Sequence, residues 1–253
     1  MKRIIVFALC LLCACNKKPQ ENLVNKIEFD PSALKMFVGD QQAIEVKCYP
    51  ETATNLDQLV ISNTRPEVAT FQNGLLTALN GGNTQLWARC GSISGILSVK
   101  VYDGWFTKGG VKYGVDMAEG YYTGMDTPEG TPKDMELTLT CNETGGDTQN
   151  FWFSISYSRL GETIDFLTDM GECMASVQKN NNEDGYCVAY PGEDGVPVIK
   201  LADWGYTEVT LTKGILTVTS PSTGYFTISA DFALSNGYTF TAEWSGNPSM
   251  KRD

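Results

Sequence analysis

Pro66-Glu67-Val68-Ala69-Thr70-Phe71-Gln72-Asn73-Gly74-Leu75-Leu76-Thr77-Ala78 sets two short β-prone runs on either side of an Asn-Gly pair. Asn and Gly both tolerate positive φ, so the pair predicts a tight hairpin turn. The same alternation extends outward from this hairpin. Ile44, Val46 and Cys48 share one face, with Glu45 and Lys47 on the other, and Pro50 ends the run because it has no N–H to donate. Leu86, Ala88 and Cys90 form a second apolar face.

Beyond residue 102 the period of two persists. Leu137, Leu139 and Cys141 alternate with Thr138 and Thr140; Val209, Leu211 and Lys213 share a phase, as do Leu216 and Val218. Gly, Asn and Asp recur at intervals that suit short antiparallel strands. A closing hairpin is predicted from Gly224–Ser229, the turn Asn236-Gly237 and Tyr238–Gly246. Leu160–Met170 is the best helical candidate in a chain without strong helical periodicity. The fold class expected is all-β.

The first residues read differently. Lys2 and Arg3 precede the uncharged stretch Ile4–Leu12. A membrane-spanning helix needs about 20 apolar residues, so this stretch has signal-peptide length instead. It is followed by Leu12-Cys13-Ala14-Cys15, which resembles the lipobox of bacterial lipoproteins. Only Cys15 has a small residue before it; Cys10 and Cys13 each follow leucine. The resemblance implies cleavage after residue 14 and a diacylglyceryl group on Cys15, a stable membrane anchor once more than one acyl chain is present. Asn16 rather than aspartate follows the cysteine, which favours the outer membrane, with the protein at the surface or in the periplasm. Asn16–Asn22 is polar and contains a proline, and residues 15–24 read as a flexible tether.

The hairpin above also carries a resemblance. Residues 25–102 resemble the bacterial Ig-like group 2 domain, through Lys26-Ile27-Glu28-Phe29, the Gly39 turn, Cys48-Tyr49-Pro50, Ile61-Ser62-Asn63 and, most specifically, the Pro-x-Val-Ala-Thr run ending in Thr77-Ala78. Ile61 stands where that family usually has tryptophan. The resemblance implies an Ig-like β-sandwich used as a spacer or adhesion module. In its strand order, Cys48 and Cys90 close facing strands, which implies a Cys48–Cys90 disulfide; two buried free thiols are the alternative.

Asp103-Gly104 marks the expected boundary to a second unit, residues 103–253, predicted as an antiparallel β-sandwich or β-barrel. Its end weakly resembles calycin-like or sandwich domains of surface lipoproteins. It is rich in aromatic residues, of which Trp204, Tyr206, Trp152 and Trp244 are the candidates for stacking on a ligand such as a glycan. Most aromatics in a β-sandwich instead fill its core. Cys173 and Cys187 flank Asn180–Gly185, and pairing about that turn predicts a Cys173–Cys187 bridge with Cys141 buried and free; other pairings of the three remain open. The same loop fits the start of an EF-hand but has Pro191 where the bidentate glutamate belongs, so it reads as a turn and no metal is expected.

Composition narrows the function. The chain has 30 acidic and 19 basic residues, a net charge of −11, which opposes binding to nucleic acid. It has no histidine, which removes the commonest general base and metal ligand. Asp116, Glu119, Asp165, Asp169 and Glu172 could in principle form a carboxylate pair, but no motif orders them. The expectation is a lipid-anchored envelope protein that binds a ligand, possibly a glycan, with an adhesive protein that binds other proteins as the alternative. Neither an enzyme nor a cofactor is expected.

Overall fold

The computed structural model describes residues 22–125, 132–180, 183–191, 197–201, 205 and 207–252. Cys15 and the lipobox, Trp204 and Tyr206 lie outside the described residues. The chain is all-β, built from several mostly antiparallel sheets. Its buried side chains separate into two clusters, one drawn from residues 24–101 and one from residues 106–244.

The first cluster is enclosed by nine strands: β1 Lys26–Asp30, β2 Ala33–Phe37, β3 Gln41–Ala43, β4 Glu45–Tyr49, β5 Val60–Asn63, β6 Ala69–Gln72, β7 Leu75–Ala78, β8 Gly82–Cys90 and β9 Ile93–Tyr102. One side has the order β2-β9-β8-β5, and the other is made of β1-β4 and β3-β7-β6. Ile44 is the break between β3 and β4, and its N–H donates to Gly74 O at 2.9 Å. The hairpin turn forms as expected: Asn73 and Gly74 take φ of 52° and 78°, and Gln72 pairs with Leu75. Leu86, Ala88 and Cys90 point inward, whereas Gln85 and Arg89 face solvent. Full burial of one leucine contributes about 1.5–3 kcal/mol, so strict alternation fixes the register of β8.

The second cluster lies between two sheets. One contains β10 Trp105–Lys108, β11 Val111–Gly114, β15 Thr163–Asp165, β19 Leu211–Ser222, β20 Tyr225–Leu234 and β21 Thr239–Gly246, in the order β11-β10-β21-β20-β19-β15. The other contains β12 Met117–Met125, β13 Pro132–Asn142, β14 Thr148–Ser156, β16 Met174–Lys179, β17 Glu183–Pro191, β18 Pro197–Leu201 and β22 Ser249–Arg252, in the order β18-β17-β16-β14-β13-β12-β22. Phe232 and Phe240 stack at 4.6 Å on the six-stranded sheet, and Phe151 of the seven-stranded sheet meets Phe240 at 6.5 Å. These rings fill the space between two open sheets, which makes this unit a sandwich.

Three expectations change. Leu160–Met170 is not a helix: Tyr157–Arg159 is a short 3-10 turn, Thr163–Asp165 is strand β15, and a turn follows. Asp165 shows the local cause, because its carboxylate accepts the Leu167 N–H at 2.9 Å and stabilises a turn rather than a helix. The predicted hairpin of β20 and β21 forms, with Ala230 opposite Ala242, but it does not end the fold. β22 crosses to the other sheet and adds parallel to β12, with Gly120 opposite Met250. Lys213 also leaves the phase of Leu211, because a bulge between them shifts the register.

The cysteines are a further correction. Cys48, Cys90, Cys141, Cys173 and Cys187 are all buried free thiols. Cys90 Sγ donates to Asn55 O and accepts from Asn55 Nδ2, both at 3.1 Å, so its hydrogen-bonding capacity is taken by that loop. For the other predicted bridge the register is decisive. Cys187 pairs with Ser176, not with Cys173. Cys173 is in phase with the core residues Ala175 and Val177, and Cys187 is on the opposite face. Cβ vectors on opposite faces of a sheet cannot be bridged.

Close backbone approaches join the two units. Gly114 packs on the ring of Tyr102, where an added Cβ would lie 2.3 Å from a ring carbon. Lys112 Nζ lies 4.0 Å above the Phe37 ring and 4.5 Å above that of Trp105. Asp116 pairs with Lys100 of β9 and accepts the Asn142 N–H of β13 at 2.7 Å. The loop at Asn180–Gly185 also has a structural task. Asp184 accepts from the buried Lys108 Nζ through its carbonyl at 2.8 Å and its carboxylate at 3.0 Å.

Candidate functional site

The outward face of the seven-stranded sheet is defined by what its strands turn inward. On β14, Phe151, Phe153 and Ile155 enter the core, so Asn150, Trp152 and Ser154 face away from it. On β13, Met135, Leu137 and Leu139 enter, which sends Asp134, Glu136 and Thr138 outward. The cross-strand register aligns these residues in rows. One row runs Cys187, Ser176, Trp152, Thr138, Glu119; the next runs Met174, Ser154, Glu136, Tyr121. Neighbouring residues in a row stand about 4.7–4.9 Å apart along the hydrogen-bonding direction.

This outward face is polar and yet partly shielded. Ser154 and Ser176 are 8% and 4% exposed although neither belongs to the hydrophobic core. Trp152 is half-buried on this face, opposite Ser176 and Thr138 in the neighbouring strands and two residues from Ser154. Cys187 is buried in the same row, and burial raises its thiol to about 11, so it behaves as a small apolar group rather than a nucleophile.

Beside Trp152 the face becomes concave. A pocket of about 510 Å³ lies over β12, β13, β14 and the start of β16. That volume is in the range typical of small-ligand sites. Ser154 and Glu136 line it from adjacent positions of one row, with Asp134 and Thr123 from the next. Met174 supplies an apolar wall, and Gly171 and Glu172 supply a rim. The rim is held from both sides. Phe166, Met170 and Cys173 bury into the core around it. Arg159 donates to Asp169 O at 2.6 Å and to its carboxylate at 2.9 Å, closing the turn outside it. Gly171 takes φ +56°, a left-handed conformation that favours glycine.

The residues singled out from the sequence separate clearly. Trp152 is on this face. Trp244 is not available to a ligand: it is buried in the second core and packs against the bare backbone of Gly104, where an added Cβ would lie 2.3 Å from the indole Cδ1. Of the acids considered, four are engaged elsewhere. Asp116 pairs with Lys100, Glu119 with Lys251 at 3.8 Å, Asp169 with Arg159, and Asp165 caps its turn. Glu172 lines the pocket with Asp134 and Glu136, which sequence reasoning did not single out. The signal was present: both alternate with Met135 and Leu137, which assigns them to the face away from the core. Among the described residues no group of three or more Cys, Asp or Glu side chains is placed to hold a metal ion, and no helix is long and apolar enough to cross a membrane.

No protein-family model and no curated protein matches this chain.

Proposed function

We propose that this is a bacterial envelope lipoprotein, anchored through lipid on Cys15, whose C-terminal sandwich binds a glycan on the outward face of its seven-stranded sheet. The observation that carries the ligand reading is Trp152, half-buried on a polar face beside a pocket rather than within the core. An aromatic face stacks on the apolar side of a sugar ring, the surrounding hydroxyls donate to and accept from its hydroxyl groups, and the carboxylates accept from them. The N-terminal unit acts as an Ig-like spacer; the arrangement of β1-β4 and β3-β7-β6 opposite β2-β9-β8-β5 supports that reading. The binding is non-catalytic and needs no cofactor.

The test is a broad soluble-glycan array followed by calorimetry on the wild type and Trp152→Ala. Trp152→Ala is expected to lower affinity at least ten-fold with its unfolding midpoint little changed. An array on which the folded wild type captures nothing overturns the glycan reading. The anchor is tested separately: Cys15→Ser is expected to move the protein from the membrane fraction to the soluble one.

A protein-binding adhesin is the second reading. It is favoured by the outward face of β5, β8 and β9, where Val60 is 63% and Ile96 40% exposed beside Trp87. Exposed apolar side chains grouped in this way suit a protein partner.

A further inference from the structure

We propose that the pocket beside Trp152 receives an ammonium group, so that the glycan bound is an amino sugar carrying positive charge; this rests on the glycan reading above. Asp134, Glu136 and Glu172 line one concavity, and none of the three side chains has an ion pair or hydrogen bond with another described residue. Two cations on the neighbouring elements are held by other partners. Arg159 pairs with Glu162 and Asp169, and Lys251 lies against Glu119 and Tyr121. Carboxylates left without a counter-charge repel one another and favour a cation placed between them.

A second observation is independent of the acids. The Ser154 hydroxyl lines the same pocket, its residue is 8% exposed, and it has no hydrogen-bond partner among the described residues. That hydroxyl opens into the pocket and is not among the sealed, unpaired polar atoms of the described residues, so it is free to donate to or accept from a ligand.

The geometry also selects the kind of cation. A bare metal ion needs several oxygen ligands converging at about 2.0–2.6 Å. No three acidic or thiol side chains among the described residues converge in that way. The carboxylates instead surround a volume of about 510 Å³, with Met174 as an apolar wall. Such a site suits an organic group that carries both a charge and an apolar ring face. A neutral sugar can donate hydroxyl hydrogen bonds to the carboxylates but brings no charge to offset theirs. An N-acetylated sugar would bring a carbonyl oxygen toward them and retain one neutral N–H.

The experiment is calorimetry of the full chain with three hexasaccharides of one linkage: glucosamine, N-acetylglucosamine and glucose. The glucosamine hexamer is expected to bind at least ten-fold more tightly than either of the others. Glu136→Gln and Glu172→Gln are each expected to weaken it five-fold or more, while Asp57→Asn, a remote acidic site, leaves it unchanged. Equal binding of all three hexamers, still dependent on Trp152, overturns the cationic inference and leaves the glycan reading intact. Weakening by Asp57→Asn as large as that by the pocket variants means attraction to net charge, and also overturns it. If none of the hexamers binds, the inference fails, and the glycan array decides separately whether the broader reading falls with it.

Discussion

Removing the Asp116 carboxylate should loosen the join between the two halves of the molecule. Its side chain is 9% exposed, and it holds Lys100 of β9 while accepting the Asn142 N–H at 2.7 Å. A hydrogen bond to a charged group contributes roughly 1.5–3 kcal/mol. Lys100 is 38% exposed and rehydrates when released, so its share is about 1 kcal/mol or less. Asp116→Ala should therefore destabilise the fold by about 2–4 kcal/mol on those ranges. Asp116→Asn keeps an acceptor for Asn142 and loses the charge, and should cost about 1–2 kcal/mol on the same basis. The pH dependence distinguishes charge from packing. Burial alone would push this carboxyl up, but the Lys100 ammonium, the Asn142 N–H and the Tyr102 hydroxyl outweigh it and hold it below the usual carboxylate range. A carboxyl depressed in the folded state stabilises above its unfolded value and loses that contribution as pH falls through its folded one. The gap between wild type and Asp116→Asn in urea unfolding should thus be level from neutral pH to about pH 5 and close below about pH 4, near the ordinary carboxylate value. A gap that persists unchanged in acid would refute the charge argument. A double-mutant cycle with Lys100→Ala showing coupling below about 0.3 kcal/mol would refute the pair itself.

Other parts of the structure give sharp expectations. Gly114→Ala should destabilise by more than about 2 kcal/mol, because its Cβ would overlap the Tyr102 ring and overpacking of this kind is costly; chemical denaturation measures it. Asn55→Ala should cost about 1–3 kcal/mol, since the Val24 N–H now bonded to Asn55 Oδ1 at 2.9 Å and the Cys90 thiol both lose a buried partner; calorimetry of the variant checks this. The five buried cysteines Cys48, Cys90, Cys141, Cys173 and Cys187 should alkylate in denaturant without reductant and resist alkylation when folded, with mass spectrometry reading the count. Phe232→Ala should cost about 3–5 kcal/mol, as it leaves a cavity against Phe240 and Phe166 in the centre of the sandwich; urea unfolding measures it.

Local chemistry explains which features could be read from the sequence alone. The Asn73-Gly74 turn and the alternation around Leu86, Leu137 and Ile228 depend on neighbours a few residues apart, and period-two patterns report them directly. Cys173 and Cys187 show where such reading stops. A hairpin symmetric about residue 180 sets the two opposite each other, whereas the real register sets Ser176 opposite Cys187. An odd slip of this kind sends a side chain to the other face, and it depends on a bulge after Val177 that composition does not signal. Trp152 and Trp244 are equally aromatic and both sit in β-strands. What distinguishes them is the Gly104 backbone beneath one and the row of hydroxyls around the other, both set by tertiary contacts. The pocket carboxylates fell between these cases: the side of β13 taken by Asp134 and Glu136 was legible, but the concavity they share with Glu172 depends on where the turn at Gly171 and Glu172 lies.

The strand β22 has a bearing on solubility. β12 would otherwise be the edge of the seven-stranded sheet, a nine-residue strand carrying Tyr121 and Tyr122 and an open row of backbone donors and acceptors. Edges of that length recruit strands from other molecules. Four residues, Ser249–Arg252, occupy it in parallel and replace it with a short border that carries two positive charges, Lys251 and Arg252. Like charges on two approaching copies repel, and a strand of four residues offers few bonds to a newcomer. A chain shortened before Ser249 would retain its core and expose the longer edge, so the defect to expect is self-association that grows with concentration.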